Sequence, residues 1–435
     1  MNESVWSKSV DMPKFPKLEG DIKTDVLIIG GGMCGILCAY YLGLHGVDYT
    51  LVEANRIATG ITSNTTAKIT SQHGLIYNKL IKSLGVEKAR LYLAANENAV
   101  KEYQRIAQSI DCDFEFKDAY TYSLSDVTKI EDEISVLKVL GFEADFFDEL
   151  PLPFKIKGAI RFKNQAQFNP LKFIAQISSA LNIYEHTFIR DISAHVALSD
   201  SAKITADKII VATHFPFINT HGAYFIKMYQ SRSYVIALEN APQISGMYVD
   251  EKQNGMSFRN YKNLLFIGGG DHRTGKNSGG WGELRNFAAK YYPRAKEIAA
   301  WATQDCMSLD SIPYIGHYSK NTPYLYVASG FNKWGMSSSM VAASMLCDMV
   351  RGIKSPLEAL FSPSRSVFTP QLFINGAETI ANFIIPTTKR CPHLGCALKW
   401  NKFEHTWDCP CHGSRFTENG ELIDNPATGG INIEK

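Results

Sequence analysis

The chain has 435 residues, 45% of them hydrophobic and 20% charged, which is typical of a globular protein long enough for two or three domains. Its 45 basic and 43 acidic side chains leave a formal charge of +2, which argues against nucleic acid as a partner. No apolar run approaches the roughly 20 residues that cross a bilayer. Residues 1–11 do not form a secretory signal, so we expect a cytoplasmic protein.

Residues 25–53 predict a strand, a glycine turn, a helix and a second strand. Gly30, Gly32 and Gly35 form a G-x-G-x-x-G pattern, which permits a tight turn and a close backbone approach to a pyrophosphate. Glu53 ends the second strand, where a carboxylate can bind ribose hydroxyls. This opening predicts a dinucleotide site on a mostly parallel sheet covered by helices.

Later segments predict further strands and a second domain. Residues 209–213 and 325–330 are short buried strands, and the second is followed by a helix. In the stretches 86–160 and 216–300, apolar and polar residues alternate more often and aromatic residues are more frequent. These stretches therefore predict a second domain interleaved with the first. Prolines and serines predict a linker at residues 356–384.

The segment 391–414 concentrates cysteine and histidine, since four of the nine cysteines fall within 21 residues. Cys391 with His393, and Cys409 with His412, present one thiolate and one imidazole in each of two short loops. A Rieske 2Fe-2S centre needs this set, with two cysteines on one iron and two histidines on the other. A zinc site with two cysteines and two histidines is the alternative that the bare spacing also permits.

The whole string resembles the Rieske proteins, especially those of cytochrome bc complexes, whose ligand loops are tied by a disulfide. The resemblance implies a Cys396–Cys411 disulfide and a Rieske domain at residues 385–435. Only eight residues follow the loop at 425–427, so this domain is shortened. We therefore expect it to depend on contacts with the flavin domain for its stability. The ligands implied are Cys391, His393, Cys409 and His412.

The resemblance also bears on the potential of the cluster. High-potential Rieske proteins carry a serine and a tyrosine, two residues apart, that donate hydrogen bonds to the cluster and its cysteine sulfur. Here Ser414 is present and Phe416 stands at the tyrosine position. Because such donors stabilise the reduced cluster, we expect a potential below the upper part of the range, roughly −150 to +300 mV.

Residues 25–350 resemble the FAD-dependent family of D-amino-acid oxidase and glycine oxidase. The matching pieces are residues 53–56, 62–68, 185–189, 210–213, 313–316 and 330–336. With its Rieske tail, the chain resembles a bacterial fusion subgroup of that family. The implied fold is α/β: a Rossmann-like parallel sheet that binds FAD, an interleaved α+β substrate domain and a small all-β Rieske domain. The implied FAD-binding segments are 21–85, 161–215 and 301–352, and the substrate-domain segments are 86–160 and 216–300, all within residues 1–355.

The family resemblance also implies which residues contact FAD. One departure is His214, which stands where a glycine commonly follows the preceding alanine and threonine. The implied FAD-binding residues are Gly30, Gly32, Met33, Gly35, Glu53, Ala54, Thr62, Ala67, Lys68, Ile69, Ile189, Thr213, Gly330, Trp334, Gly335 and Met336.

The cofactor pair predicts an enzyme that oxidises a small substrate and passes single electrons through the cluster to an acceptor, expected to be a protein. The alternative is an electron-transfer module between protein partners that has no small substrate. The catalytic candidates are Lys68, His272 and Asp305. Amino-acid oxidases of this family carry a carboxylate-binding arginine near the place of Asp305, so an amine is the expected substrate.

Overall fold

A computed structural model describes residues 3–276, 279–366 and 370–433. The strands, in chain order, are β1 (Ile22–Ile29), β2 (Tyr49–Val52), β3 (Lys68–Ile69), β4 (Glu115–Ser123), β5 (Asp145–Phe147), β6 (Gly158–Gln167), β7 (Ile183–Tyr184), β8 (Ile189–Ser193), β9 (Val196–Ser199), β10 (Lys203–Val211), β11 (Met228–Glu239), β12 (Met247–Asp250), β13 (Ser257–Tyr261), β14 (Leu264–Arg273), β15 (Lys296–Ser308), β16 (Tyr314–His317), β17 (Leu325–Ser329), β18 (Lys399–Asn401), β19 (Thr406–Asp408), β20 (Arg415–Thr417) and β21 (Leu422–Asp424).

Helices cover these strands, and one short 3-10 helix spans Ile61–Asn64. The α-helices are α1 (Met33–Leu44), α2 (Tyr77–Leu84), α3 (Val86–Ala107), α4 (Thr128–Val139), α5 (Pro170–Ser178), α6 (Tyr224–Lys227), α7 (Trp281–Tyr291), α8 (Gly335–Val350), α9 (Glu358–Phe361) and α10 (Pro370–Ile384). In the described part of the chain, no helix combines the length and the apolar character needed to cross a bilayer.

The first sheet has the order β16-β17-β10-β1-β2-β7, and the neighbours from β17 to β7 run parallel. The second half of its central strand β1, residues 26–29, is buried on both faces, which explains the apolar sequence of this half. Val26 and Ile28 enter one hydrophobic core with α1 and α8, and Leu27 and Ile29 enter a second core. This confirms the predicted α/β fold with a parallel sheet.

The second sheet has the order β15-β11-β14-β13-β12-β4-β6-β3 and is mostly antiparallel. It draws strands from both of the stretches expected to form an interleaved domain. Strand β11 is paired along its length with β14 and with β15, so side chains of these three strands share the two faces of the sheet. One end of the three strands carries the polar residues of the site described below.

The C-terminal unit is a four-stranded antiparallel sheet, β18-β19-β20-β21, with a small core that includes Phe416. It is the small all-β domain that the sequence predicts. Residues 356–384, predicted as a linker, contain two helices, α9 and α10. The prolines that suggested an irregular segment are compatible with this outcome, because proline is well suited to the first turn of a helix and α10 begins at Pro370.

Candidate functional site

Backbone contacts exclude side chains from the glycine turn after β1. A Cβ on Gly30, whose φ is +110°, would lie 2.6 Å from the carbonyl oxygen of Ala212, and one on Gly35 would lie 1.9 Å from that of Gly30. Helix α1 begins directly after the turn, and its N-cap residue Gly32 provides no side-chain cap. An anion that approaches this helix N-terminus therefore meets backbone, as pyrophosphate binding requires.

Glu53, directly after β2, links the glycine turn to the next segment of chain. Its carboxylate accepts hydrogen bonds from the N–H groups of Gly31 and Asn55, at 2.7 and 2.8 Å. Burial raises the pKa of Glu53, while these N–H groups oppose the rise. The carboxylate therefore lies beside the glycine turn, where the sequence predicts the ribose.

A cavity of about 2070 Å³ extends from the glycine turn to the second sheet, and most of the predicted FAD-binding residues line it. Four of them are not part of its lining: Gly35, Ala67, Ile69 and Gly330. Of these four, Ala67 and Ile69 are completely buried, and Gly35 packs on the backbone of the turn. The predicted residues that line the cavity are Gly30, Gly32, Met33, Glu53, Ala54, Thr62, Lys68, Ile189, Thr213, Trp334, Gly335 and Met336.

Of the three catalytic candidates, Lys68 and Asp305 line this cavity and His272 does not. The ring of His272 stacks on Tyr234 with their centroids 5.7 Å apart, and burial lowers the pKa of this histidine. The preceding residue, Asp271, lines the cavity instead. Two of the three candidates thus line one cavity, and the third is not part of its lining.

Lys68 adds a titratable cation to one wall of the cavity. Its Nζ donates a hydrogen bond to Thr66 Oγ1 at 3.0 Å. Burial lowers the pKa of Lys68 to about 7, and the charge of Arg259 contributes to the decrease. Lys68 can therefore exchange a proton near neutral pH at a place where the sequence predicts contact with the flavin.

Asp271 and Asp305 bring two carboxylates to the cavity from adjacent parts of the second sheet. Asp271 forms an ion pair with Lys333, with the oxygen and Nζ 2.9 Å apart. Burial raises the pKa of Asp305 to about 6, and the negative charge of Asp271 adds to the rise, while Lys333 opposes it. Among the residues that the structure describes, none forms an ion pair with the Asp305 carboxyl within 4 Å, whereas Asp271 is paired with Lys333.

Two ligand loops bring the predicted cluster ligands together. The first ligand loop (391–396) and the second ligand loop (409–414) are each closed by backbone hydrogen bonds of 2.8–2.9 Å. The Nδ1 atoms of the two histidines lie 3.2 Å apart, and the thiols of the two predicted ligand cysteines are within hydrogen-bond contact. Two imidazole nitrogens and two buried thiols are the donor set of a Rieske cluster. The four residues are Cys391, His393, Cys409 and His412.

The predicted disulfide between Cys396 and Cys411 is present, with their Cα atoms 6.7 Å apart. It joins the first ligand loop to the second. The sulfur of Cys409 lies within 4.8 Å of both bonded sulfurs. Since a disulfide sulfur is not a thiolate ligand, Cys409 is the metal ligand that this trio offers.

Three side chains of the second sheet hold the second ligand loop. Gln230 of β11 and Gln304 of β15 each donate to a backbone carbonyl of the loop at 2.9 Å, and Arg273 of β14 donates to two others at 3.0 and 3.1 Å. A Cβ on Gly413, whose φ is +81°, would lie only 2.6 Å from the Cβ of Gln230. The loop therefore sits directly on the strands β11, β14 and β15.

His214 connects this contact to the first sheet. Its φ of +66° is a left-handed backbone conformation, which costs a residue other than glycine about 1–3 kcal/mol. Its Nε2 lies 3.2 Å from Oε1 of Gln230, whose amide nitrogen holds the second ligand loop. The side chain of Asn425 donates to the carbonyls of Thr213 and Phe215 at 2.7 Å. Both neighbours of His214 are thus bonded to the C-terminal domain.

The C-terminal domain also contributes an acid to the wall of the cavity. Glu404, between β18 and β19, accepts two hydrogen bonds from Arg232 of β11 and one from Arg415. Burial favours the neutral acid, but the two arginines overcome it and lower the pKa of Glu404 to about 2. Glu404 lines the same cavity as Asp305. The C-terminal domain therefore covers part of this cavity.

A family model described as FAD dependent oxidoreductase matches residues 25–349. The chain belongs to this family. A second model, described as Rieske [2Fe-2S] domain, matches residues 374–433. FAD and a Rieske-type 2Fe-2S cluster are therefore the cofactors of this FAD-dependent oxidoreductase.

Relatives support the Rieske part of the oxidoreductase. YhfW of Bacillus subtilis, whose name describes a Rieske 2Fe-2S iron-sulfur protein, is 37% identical over 98% of this chain and 96% of its own. The cytochrome b6-f complex iron-sulfur subunit of Prochlorococcus marinus is 43% identical over 13% of this chain and 30% of its own. These matches favour the Rieske interpretation of the ligand loops over the zinc alternative.

Solved structures show the same fold at low identity. Glycine oxidase from Geobacillus kaustophilus has a TM-score of 0.67 at 18% identity, covering 79% of this chain and 99% of its own. L-proline dehydrogenase from P. horikoshii has a TM-score of 0.65 at 16% identity, covering 81% of this chain and 98% of its own.

Sequence reasoning missed the residues that join the two cofactor sites. Glu404, Gln230 and Gln304 lie outside every motif, and their partners are distant along the chain. Arg232 lines the cavity as well, but its guanidinium is occupied by Glu404. The unusual His214 was the signal available in the sequence, because a histidine at a glycine position marks a backbone constraint.

Proposed function

We propose that this oxidoreductase is a dehydrogenase that oxidises a small organic substrate and passes the electrons one at a time through its Rieske cluster to a protein acceptor. The observation that carries the proposal is the seating of the second ligand loop on β11, β14 and β15, whose residues Asp271 and Asp305 also line the cavity. One sheet thus lies between the two cofactor sites. FAD takes up two electrons as a hydride, whereas the cluster carries one electron at a time.

An amine fits the charges of the cavity better than an amino acid. Asp305 stands near the place where the related oxidases have a carboxylate-binding arginine, and it lines the cavity. Arg232, which also lines it, has its planar fork bound to Glu404 and is not available to a substrate carboxylate. We therefore propose a small cationic amine, with Asp305 as the group that binds its ammonium.

We assign proton exchange in this site to Lys68. Its pKa of about 7 lets it hold or release a proton near neutral pH, and it lines the cavity with Asp305. We propose that Lys68 stabilises negative charge at the flavin when protonated. Burial, with a further contribution from the charge of Arg259, lowers the pKa of Lys68, so its proton is weakly held.

Removal of one cluster ligand tests the coupling of the two sites. In Cys409→Ser, substrate should still bleach the flavin absorbance at the wild-type rate, while reduction of a one-electron acceptor should collapse. Cys112→Ser is the control, because Cys112 is also a buried free cysteine and lies outside the ligand loops. Stopped-flow absorbance follows the two steps separately. Unchanged acceptor reduction in Cys409→Ser would refute the proposed route.

A substrate panel separates the dehydrogenase from an electron-transfer module without a small substrate. Anaerobic protein is mixed with simple amines, sarcosine, glycine and D-alanine, and flavin bleaching is recorded. We expect bleaching by amines and little by the free α-amino acids. Bleaching by none of them, together with rapid reduction by a reduced protein donor, would favour the module.

A further inference from the structure

Helix α10 is amphipathic, but its polar side faces the protein and its apolar side faces outward. A surface helix normally buries its apolar face, whereas α10 turns polar side chains toward the protein. Asn375 is 1% exposed and accepts a hydrogen bond from Arg273 at 2.7 Å, and Glu378 pairs with Lys276 at 2.6 Å. The inward residues are Gln371, Asn375, Glu378 and Asn382.

The outward side of α10 carries large apolar side chains. Their exposed fractions are 50% for Ile374, 66% for Ile380, 57% for Phe383 and 72% for Ile384. We call these four residues the α10 patch. Exposed apolar residues scattered singly are ordinary on a protein surface, but an aligned set on one helix marks an interaction surface.

Basic and aromatic residues continue the α10 patch beyond the end of the helix. Arg390 donates to the carbonyls of Phe383 and Ile385 at 2.9 Å, which places its guanidinium at the helix C-terminus. Lys389 lies over the ring of Trp407, and that ring contacts Trp400, which is 41% exposed. Apolar side chains bordered by lysine, arginine and tryptophan are typical of a helix that lies in the headgroup layer of a membrane.

We propose that the α10 patch, with Lys389 and Arg390 at its edge, docks this protein on the surface of an anionic lipid bilayer. The proposal goes beyond the proposed function and does not depend on it. A helix of 15 residues is about 22 Å long and about 10 Å wide. Its outer face therefore offers only about 200–300 Å², well below the roughly 800 Å² per partner of a stable protein interface. A lipid surface has no such requirement, because apolar side chains insert individually.

Vesicle binding tests the proposal on the full-length holoprotein. Phosphatidylcholine vesicles with and without about one third phosphatidylglycerol are sedimented with the protein at low and high salt. We expect binding to the anionic vesicles that weakens with salt, since the contribution of each basic residue near such a surface is about fivefold. In addition, hydrogen exchange of residues 370–384 should slow when anionic vesicles are added. This second measurement needs no variant.

A double substitution with a matched control completes the test. Ile380→Glu with Ile384→Glu should lower binding at least about tenfold. Leu44→Glu with Val139→Glu replaces two apolar residues on other helices, each 58% exposed, and should leave binding unchanged. Equal binding of the two double variants, or unchanged exchange of α10 with vesicles, would overturn the proposal. So would a dimer in solution that the Ile380 and Ile384 substitutions dissociate, because a second copy would then cover the patch.

Discussion

Replacement of Asp305 by asparagine tests the assignment of this carboxyl to an ammonium group. Asparagine keeps the shape of the side chain and removes its charge. Burial raises the pKa of Asp305 from its ordinary value of 3.8 to about 6, so this carboxyl holds its proton about a hundredfold more tightly than an exposed aspartate. A cation bound beside the carboxylate would replace the missing solvation and return the pKa toward its ordinary value.

The size of the effect follows from this linkage. If the bound cation restores the ordinary pKa, the ionised carboxylate binds it about a hundredfold more tightly than the neutral acid does. Affinity for a cation should therefore be high above pH 6 and fall as the pH decreases through about 6. In Asp305→Asn we expect binding about a hundredfold weaker at pH 8, with no dependence on pH near 6.

Tetramethylammonium is a suitable probe because its charge does not titrate. Its dissociation constant can be measured between pH 5 and 8 from the perturbation of the flavin spectrum, beside kcat/KM for an amine substrate. Acetate is the control ligand, and it should bind the variant at least as well as the wild type. An asparagine variant that kept the wild-type affinity, or a wild type with no change of affinity near pH 6, would refute the assignment.

Three further predictions concern neighbouring groups. Lys333→Met should move the midpoint of the pH dependence of cation binding above 6, because Lys333 lowers the pKa of Asp305. Asp271→Asn should move this midpoint below 6, because Asp271 raises the same pKa. Shifts of both midpoints in the same direction would contradict this reasoning. Phe416→Tyr should raise the potential of the cluster in a redox titration, since a hydroxyl donor stabilises its reduced form; a decrease would refute the reasoning. Gln230→Leu removes two hydrogen bonds to carbonyls of the C-terminal domain and should weaken its docking by about 1–3 kcal/mol. Weaker docking should appear as faster hydrogen exchange of residues 409–414 while FAD stays bound. Unchanged exchange would contradict this prediction.

The local motifs could be predicted from the sequence because the residues that form each one are close together along the chain. Gly35 is needed because of its contact with the carbonyl of Gly30 in the same turn, and this turn is predicted from the spacing of the glycines. The two ligand loops are equally local, since the Cys-x-His and Cys-x-x-His spacings place a thiol and an imidazole in one loop. The disulfide followed from resemblance to Rieske proteins rather than from the spacing itself.

Tertiary structure alone decided which of these local pieces meet. Glu404 binds Arg232 across 172 positions of the chain, and Gln230 binds the second ligand loop across 182. No periodicity or motif encodes such pairs, because they depend on how the C-terminal sheet packs on β11, β14 and β15. The same holds for α10, which lies in a segment that the sequence predicts to be a linker. Its polar side faces the protein because Arg273 offers a hydrogen-bond partner to Asn375 and Lys276 offers an ion-pair partner to Glu378.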